Sequence, residues 1–373
     1  MSFGLDNLPY GVFSRPGEDP RVGVRFEDSV LEVVREPSLN GLMAKGPAAW
    51  QEARGKARER LESGSAELIP LDDIELHLPF RVADYVDFYS SLEHATNLGR
   101  LFRPDSEPLL PNWRWLPVGY HGRAGTVVVS GTPIVRPSGQ AKPPDAPEPT
   151  YGPSRRLDIE LELGFVVGTP SRLGEPVPVD EALEHVFGAI LVNDWSARDI
   201  QAWEYQPLGP FLGKSFATSI GAWVTPLEAL EPLRVPGPPQ EPQPLSYLRT
   251  EPFVYDIALE VELNGETISR TSARHLYWSV EQQIAHATVN GASLRTGDLL
   301  ATGTISGADP GTQGSLIELT RNGAEPLRLA DGSERSFLED GDEVVLRGRA
   351  GDVDLGEVSG TIRPARPTAA TPH

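Results

Sequence analysis

At 373 residues, 39% of them apolar and 23% charged, the chain is long enough for a sizeable buried core and about two domains. Its 53 acidic against 33 basic residues leave a formal net charge of −20, which argues against nucleic acid or an anionic membrane surface as a partner. The absence of Cys rules out disulfides, thiolate metal sites and cysteine nucleophiles, and fits a reducing, cytoplasmic compartment.

The N-terminus has no basic region or apolar stretch of the kind a signal peptide needs, and the longest apolar runs, such as Ala189 to Val192, are far too short to span a bilayer. Gly and Pro together number 37 + 36 = 73, which predicts many turns and little long helix. Residues 22–34 read as short strands, and the stretch from Pro47 to about Leu61, with Pro at the first helical position, as a helix. Residues 68–80 read as another strand, closing a small β-rich N-terminal domain over 1–80. From 81 to 373 short alternating segments dominate: Thr126 to Ser130, Leu157 to Val167, Phe253 to Leu263 and Glu343 to Gly348 as strands, Glu181 to Val186 and Glu281 to Val289 as helix. Pro137 to Pro153 and Pro232 to Pro244 read as surface loops, and the tail after Pro364 as frayed. The fold class is mainly β, of the α+β kind.

Four constellations carry chemical potential. In Asp84-Tyr85-Val86-Asp87-Phe88-Tyr89 and the following His94-Ala95-Thr96-Asn97, Asp87 and Tyr89 share a strand face, with His94 shortly after; a lone His is more often structural. In Leu157-Asp158-Ile159-Glu160-Leu161-Glu162-Leu163, alternation puts the aliphatic residues on one face and the three acids on the other. That face is either solvated or aims a pair of carboxylates at one hard cation, which would remove their mutual repulsion. Ala189 to Val192 reads as a buried strand ending near Asp194, with Arg198, Gln201 and Tyr205 on one face of the helix after it; the plain alternative is an exposed helix capped by Asp194. Gly209-Pro210-Phe211-Leu212-Gly213-Lys214-Ser215 is one residue short of a phosphate-binding loop, which leaves Lys214, among apolar neighbours, as either a surface lysine or a buried cation. Of the seven histidines only His94 and His121 are candidates for catalysis, and neither a His-Glu-x-x-His motif nor a Gly-x-Ser-x-Gly elbow is present.

At these residues the chain resembles the fumarylacetoacetase family. The likeness runs through Asn7 to Ser14, Asp87 to Ser91, His94 to Asn97, Leu116 to Arg123, Asn193 to Phe216, Gly303 to Gly307, Gly314-Ser315 and Asp340 to Asp342, and covers roughly residues 3–362. It implies a small SH3-like N-terminal barrel, a larger C-terminal β-roll and a homodimer. The implied reaction is hydrolysis of 4-fumarylacetoacetate to fumarate and acetoacetate, the last step of tyrosine breakdown, with Mg²⁺ or Ca²⁺ as cofactor. By resemblance Asp87, Glu160, Glu162 and Asp194 are metal ligands, and Lys214 and Thr218 lie near a second, structural ion. His94 is the base with Glu318 as its carboxylate partner; Arg198, Gln201 and Lys214 stabilise developing charge; Tyr89, Arg103, Tyr120, Gln201, Tyr205 and Thr304 contact substrate. Glu93 beside His94 departs from a stretch often basic or polar in the family. Two other functions stay in view: another diketo-acid hydrolase, decarboxylase or isomerase of the same superfamily, and a non-catalytic acidic calcium-binding protein.

Overall fold

The computed structural model describes residues 3–367. Two sheets dominate. The larger follows the path Leu68–Pro70, Ser29–Val34, Arg21–Phe26, Tyr10–Ser14, Trp223–Pro226, Val186–Asp194, Leu161–Val167, Leu299–Ala301, Tyr85–Phe88 and Gly119–His121, with three short strands branching from it. The second stacks Glu266–Ser272, Ala258–Leu263, Glu343–Ala350, Val353–Arg363 and Ile134–Val135. The fold is mainly strand with a few helices, and no closed barrel is among the described pairings. Tyr10 and Gly11 pair with Val224 and Trp223, so the large sheet continues across residue 80.

Period-two alternation explains how the sheet builds two cores. Along Leu161–Val167 the odd residues Leu161, Leu163 and Phe165 join Leu191, Leu259, Leu346 and Val358 in the core between the two sheets. The other face carries Val166, Ile190, Val192 and Leu299, packed with Tyr10, Val24 and Leu31 of the N-terminal strands. Glu162, Asp194 and Asp87 lie on that second face, at the ends of their strands.

Local structure departs from the sequence expectations where tertiary pairing overrides local pattern. The Leu157-to-Val167 segment is two strands, Leu157–Asp158 paired with Ser196–Ala197 and Leu161–Val167 paired with Val186–Asp194, with a break at residues 159 and 160. Its acids are not on a solvated face: Asp158, Glu160 and Glu162 are all buried. Ala182–His185 is a 3-10 turn running into the Val186 strand rather than a helix. The Pro-rich 137–153 stretch contains a hairpin, Ser138–Ala141 with Thr150–Pro153, and Arg234–Pro236 within 232–244 pairs with Phe253–Tyr255. Residues 68–80 hold two three-residue strands, Leu68–Pro70 and Glu75–His77, rather than one. Helix Pro47–Glu62 and helix Val280–Thr288 match the reading, while helix Leu92–Phe102, capped by Ser91 Oγ accepting the His94 N–H, was not anticipated. Of the tail read as frayed, Pro364 to Pro367 belong to no element and residues 368–373 lie outside the described residues.

Candidate active site

Four strand ends deliver four carboxylates to one point. Asp87 sits on Tyr85–Phe88, opposite Tyr120 across the ladder. Glu162 opens Leu161–Val167, Asp194 closes Val186–Asp194, and Glu160 occupies the break between the two strands, held by Asn193 Oδ1 accepting its N–H at 3.1 Å. One oxygen from each of Asp87, Glu160, Glu162 and Asp194 lies within 4.8 Å of the others, and all four residues are buried. So many carboxylates in a dry place repel one another, and only part of that cost is met by protein cations. Lys214 Nζ donates to Asp194 Oδ2 at 2.7 Å and to Glu160 Oε2, and Arg198 Nη1 pairs with Glu160 Oε1 at 2.7 Å. Thr218 Oγ1 donates to Asp194 Oδ1 at 2.7 Å and Tyr120 OH to its Oδ2 at 3.3 Å.

Asp87 Oδ1 and both oxygens of Glu162 are buried without a hydrogen-bond partner. Burial first, and then the neighbouring carboxylates, push the Asp87 and Glu162 carboxyls well above the ordinary carboxylate range. Burial acts on Glu160 in the same direction, but Lys214 and Arg198 outweigh it and hold that carboxyl below the ordinary range. Burial likewise lowers the Lys214 ammonium's proton affinity, and Asp194 and Glu160 more than reverse that. Orphaned, buried, mutually repelling carboxylate oxygens are the donor set of a hard, oxygen-seeking divalent cation, so the residues fit a metal.

A second unit stands beside the first. His94 Nδ1 donates to Glu318 Oε2 at 2.7 Å, which fixes the tautomer and leaves Nε2 with its lone pair. Asn97, one turn along the same helix, donates to Glu318 Oε1 at 2.9 Å; Ser306 and Ser315 hydroxyls donate to Oε2 at 2.9 and 2.6 Å. Burial pushes the Glu318 carboxyl up, but His94 and these donors together hold it below its ordinary value. The Tyr89 ring meets the His94 imidazole edge-on at 5.3 Å.

Both units border a cleft of about 440 Å³, lined by Asp87, Glu160, His94, Arg198 and Lys214 together with Tyr89, Arg103, Tyr120, Gln201, Tyr205 and Thr304. Every residue expected to contact substrate is therefore on one cleft, while Glu162, Asp194, Thr218 and Glu318 do not line it. The Thr304 hydroxyl and Arg198 Nη2 are buried without a partner. Arg198, Gln201 and Tyr205 do share a face, but Asp194 does not cap their helix: helix Arg198–Glu204 begins after Ala197, and Asp194 is buried in the acidic cluster. Lys214 is buried rather than a surface lysine. The near phosphate loop is already filled from within, because Glu204 Oε1 accepts the Phe211 and Gly213 N–H groups at 2.9 and 2.7 Å. His121, the other histidine candidate, is 77% exposed and pairs with Asp84 at 3.4 Å; it lines not this cleft but a neighbouring pocket that also touches Tyr120, Asp194 and Lys214. Sequence reasoning missed Asn97, Ser306 and Ser315, the donors that hold Glu318; only the three-residue spacing of His94 and Asn97 hinted at one of them.

Residues 84–363 match the family model described as fumarylacetoacetate (FAA) hydrolase C-terminal. The chain is 49% identical to the fumarylacetoacetase of Rattus norvegicus, over 97% of this chain and 96% of that protein, and 44% identical to that of Arabidopsis thaliana, over 98% and 96%. In structure it is similar to a fumarylacetoacetate hydrolase from Exiguobacterium antarcticum, with a TM-score of 0.61 at 20% identity, covering 96% of this chain and all of that one. A maleylpyruvate hydrolase from Sphingobium sp. SYK-6, solved in complex with manganese(II) ion and pyruvate, aligns with a TM-score of 0.58 at 16% identity, over 96% of this chain and all of that one.

Proposed function

The chain belongs to the fumarylacetoacetate hydrolase family, and on that premise we propose that its buried acidic site hydrolyses the carbon–carbon bond of 4-fumarylacetoacetate, releasing fumarate and acetoacetate. The observation that carries this reading is one cleft bordered by both a four-carboxylate cluster and a buried His94–Glu318 pair.

Asp87, Glu160, Glu162 and Asp194 would hold a divalent ion, which would supply Lewis acidity to the reaction. Everything else is the work of side chains. His94 Nε2 takes a proton from water, and the oxygen so freed adds to the carbonyl carbon of the fumaryl group. Glu318, already accepting the Nδ1–H, stabilises the imidazolium that forms. Collapse breaks the carbon–carbon bond, fumarate departs, and the pair of electrons passes to the acetoacetate fragment. Arg198, Gln201 and Lys214 stabilise that developing negative charge from fixed positions. The carbon then takes up a proton, which restores neutral His94. Arg103 and the phenols of Tyr89, Tyr120 and Tyr205, with Thr304, orient the substrate's carboxylate ends in the cleft. Lys214 and Thr218 hold Asp194 in place beside the ion, and the resemblance adds a structural ion near them.

Mg²⁺ and Ca²⁺ suit four hard oxygen donors, and the manganese complex of the maleylpyruvate hydrolase extends the candidates to Mn²⁺. The family-model match beginning at residue 84 supports the division into an N-terminal unit of residues 1–80 and a catalytic unit of 81–373. The resemblance supports a homodimer. Among the described residues no helix is long and apolar enough to cross a membrane; a cytoplasmic location rests on the Cys-free composition. A calcium-binding protein without activity has no use for the His94–Glu318 pair or for Arg198 and Lys214 in the same cleft. The test is turnover of 4-fumarylacetoacetate, followed by loss of the diketone absorbance, before and after exhaustive chelation and with Mg²⁺, Ca²⁺ or Mn²⁺ restored. Activity should vanish on chelation and return with one of these ions; full activity in metal-free protein, or no turnover with any ion, defeats the reading.

A further inference from the structure

We propose that Asp158 is a positioning residue for the reaction, one buried carboxylate that both aims the Arg198 guanidinium into the cleft and anchors the turn bearing Glu318. This deepens the reading above and rests on Arg198 acting on substrate.

Asp158 is fully buried, two positions before Glu160, and it lines neither the acidic cluster nor the cleft. Its four acceptor contacts go to the adjoining residue and to two separate helices. Oδ1 accepts the N–H of its neighbour Ile159 at 2.8 Å and that of Leu316 at 2.7 Å; Oδ2 accepts the N–H of Ile317 at 3.1 Å and Arg198 Nε at 2.8 Å. Leu316 and Ile317 open the one-turn helix Leu316–Leu319, whose own cap residue makes no side-chain cap bond. A single turn is too short to hold itself, so its first N–H groups depend on this distant carboxylate. Glu318 is the next residue along.

On the other side, a guanidinium is planar, and contacts at two of its nitrogens fix both its plane and its rotation in that plane. Asp158 takes Nε. Nη1 goes to Glu160 Oε1 at 2.7 Å and Gln201 Oε1 at 3.3 Å. What remains is Nη2, buried and without a partner, on a residue that lines the cleft. An unpaired N–H group held rigid before substrate arrives stabilises developing charge without reorganising. The strand pairing of Asp158 with Ser196, two residues before Arg198, sets the distance over which this works.

Asp158→Asn keeps the shape but turns one of the two acceptor oxygens into a donor facing other donors, so the Arg198 contact or the turn must shift. The experiment is a double-mutant cycle of Asp158→Asn and Arg198→Ala, read in kcat and KM at saturating metal, with metal content and melting temperature measured alongside. Asp158→Asn should lower kcat roughly 10–100-fold, the usual effect of misplacing a catalytic group by about an ångström, with KM changed less than about threefold and metal retained. In the Arg198→Ala background it should cost clearly less than it does in the wild type, the remaining loss being the share that acts through the Glu318 turn. Near-wild-type kcat for Asp158→Asn, or losses that multiply independently, overturns the proposal, the second by reducing Asp158 to a structural residue. Near-wild-type turnover of Arg198→Ala would instead defeat the assignment of Arg198 itself. Should Asp158→Asn not fold, Arg198→Lys carries the decision: it keeps the charge but loses the planar fork that Asp158 aims. It should be as slow as Arg198→Ala within about threefold, and retention of most activity would show that aiming is irrelevant.

Discussion

Glu318→Gln isolates the contribution of one charge to the proposed base. The carboxylate receives three donors on Oε2, from His94, Ser306 and Ser315, and one on Oε1, from Asn97. A glutamine can keep its oxygen at the three-donor position, which leaves its NH₂ facing Asn97; a flip of the Asn97 amide restores that contact. What cannot be restored is the charge beside the imidazolium at 2.7 Å. A hydrogen bond to a charged partner contributes about 1–2 kcal/mol more than a neutral one. If that difference is expressed when His94 becomes charged in the transition state, kcat falls roughly 5–30-fold. His94→Ala removes the base itself and should cost roughly 10²–10⁴. The double variant should be little slower than His94→Ala alone, because Glu318 acts through the imidazole. All four proteins are assayed for kcat at saturating metal, with metal content checked, since neither residue touches the four-carboxylate cluster. Independent, multiplying losses, or a Glu318→Gln enzyme as fast as the wild type, would refute the coupling. The same charge has a stability signature. Its folded-state proton affinity is below the ordinary value of 4.5, so it stabilises the protein above that pH and the benefit is lost as pH falls below it. The stability gap between wild type and Glu318→Gln should therefore narrow on acidification below about 4.5.

Three more perturbations test other parts of the argument. Glu162→Gln removes a buried, unpartnered carboxyl that burial and its acidic neighbours make costly to ionise, so the metal-free protein should melt at a higher temperature than metal-free wild type, while metal affinity in calorimetry falls at least about tenfold; a lower melting temperature in the metal-free state would contradict the reading of those orphaned oxygens. Glu281 is a buried carboxyl pushed up to about 7, mainly by burial, with one oxygen unpartnered. Its folded-state value exceeds the unfolded one, so stability is lost as pH rises from about 4.5 through 7. Glu281→Gln should therefore gain on wild type over that window, by roughly 3 kcal/mol at most, as denaturant titrations at pH 5 and 8 would reveal. Gly303 has φ +76°, and a Cβ there would lie 2.2 Å from the Phe88 carbonyl oxygen; Gly303→Ala should cost about 2 kcal/mol or more and lower kcat as well, because Phe88 and Thr304 flank the site.

The sequence by itself determined what rests on residue type and local order. Composition ruled out cysteine chemistry. Alternation put Glu160 and Glu162 on one side of a segment and Leu161 and Leu163 on the other, and the helix over Pro47–Glu62 announced itself by its proline and its alanine- and charge-rich run. Motif resemblance brought in His94, Glu318 and Lys214, which no periodicity could have joined. The tertiary structure decided what rests on distance and on water. Alternation could not say whether the acidic face was wet, because that depends on distant partners: Lys214 and Arg198 meet Glu160, and Asp87 and Asp194 come in from other strands beside Glu162, so that four ordinary acids are buried as one cation-seeking site. Local pattern also gave no warning of the strand break at residues 159 and 160, since the partner that ends the first strand, Ser196–Ala197, is about 40 residues away in sequence. The same holds for His94 and Glu318, 224 positions apart and 2.7 Å across. It holds for Asp158, which alternation placed on one face with Glu160 and Glu162 and the fold assigns to Arg198 and the Glu318 turn. A side chain's type is written in the chain, but its proton affinity and its partners belong to the whole surrounding volume, and that exists only once distant strands have met.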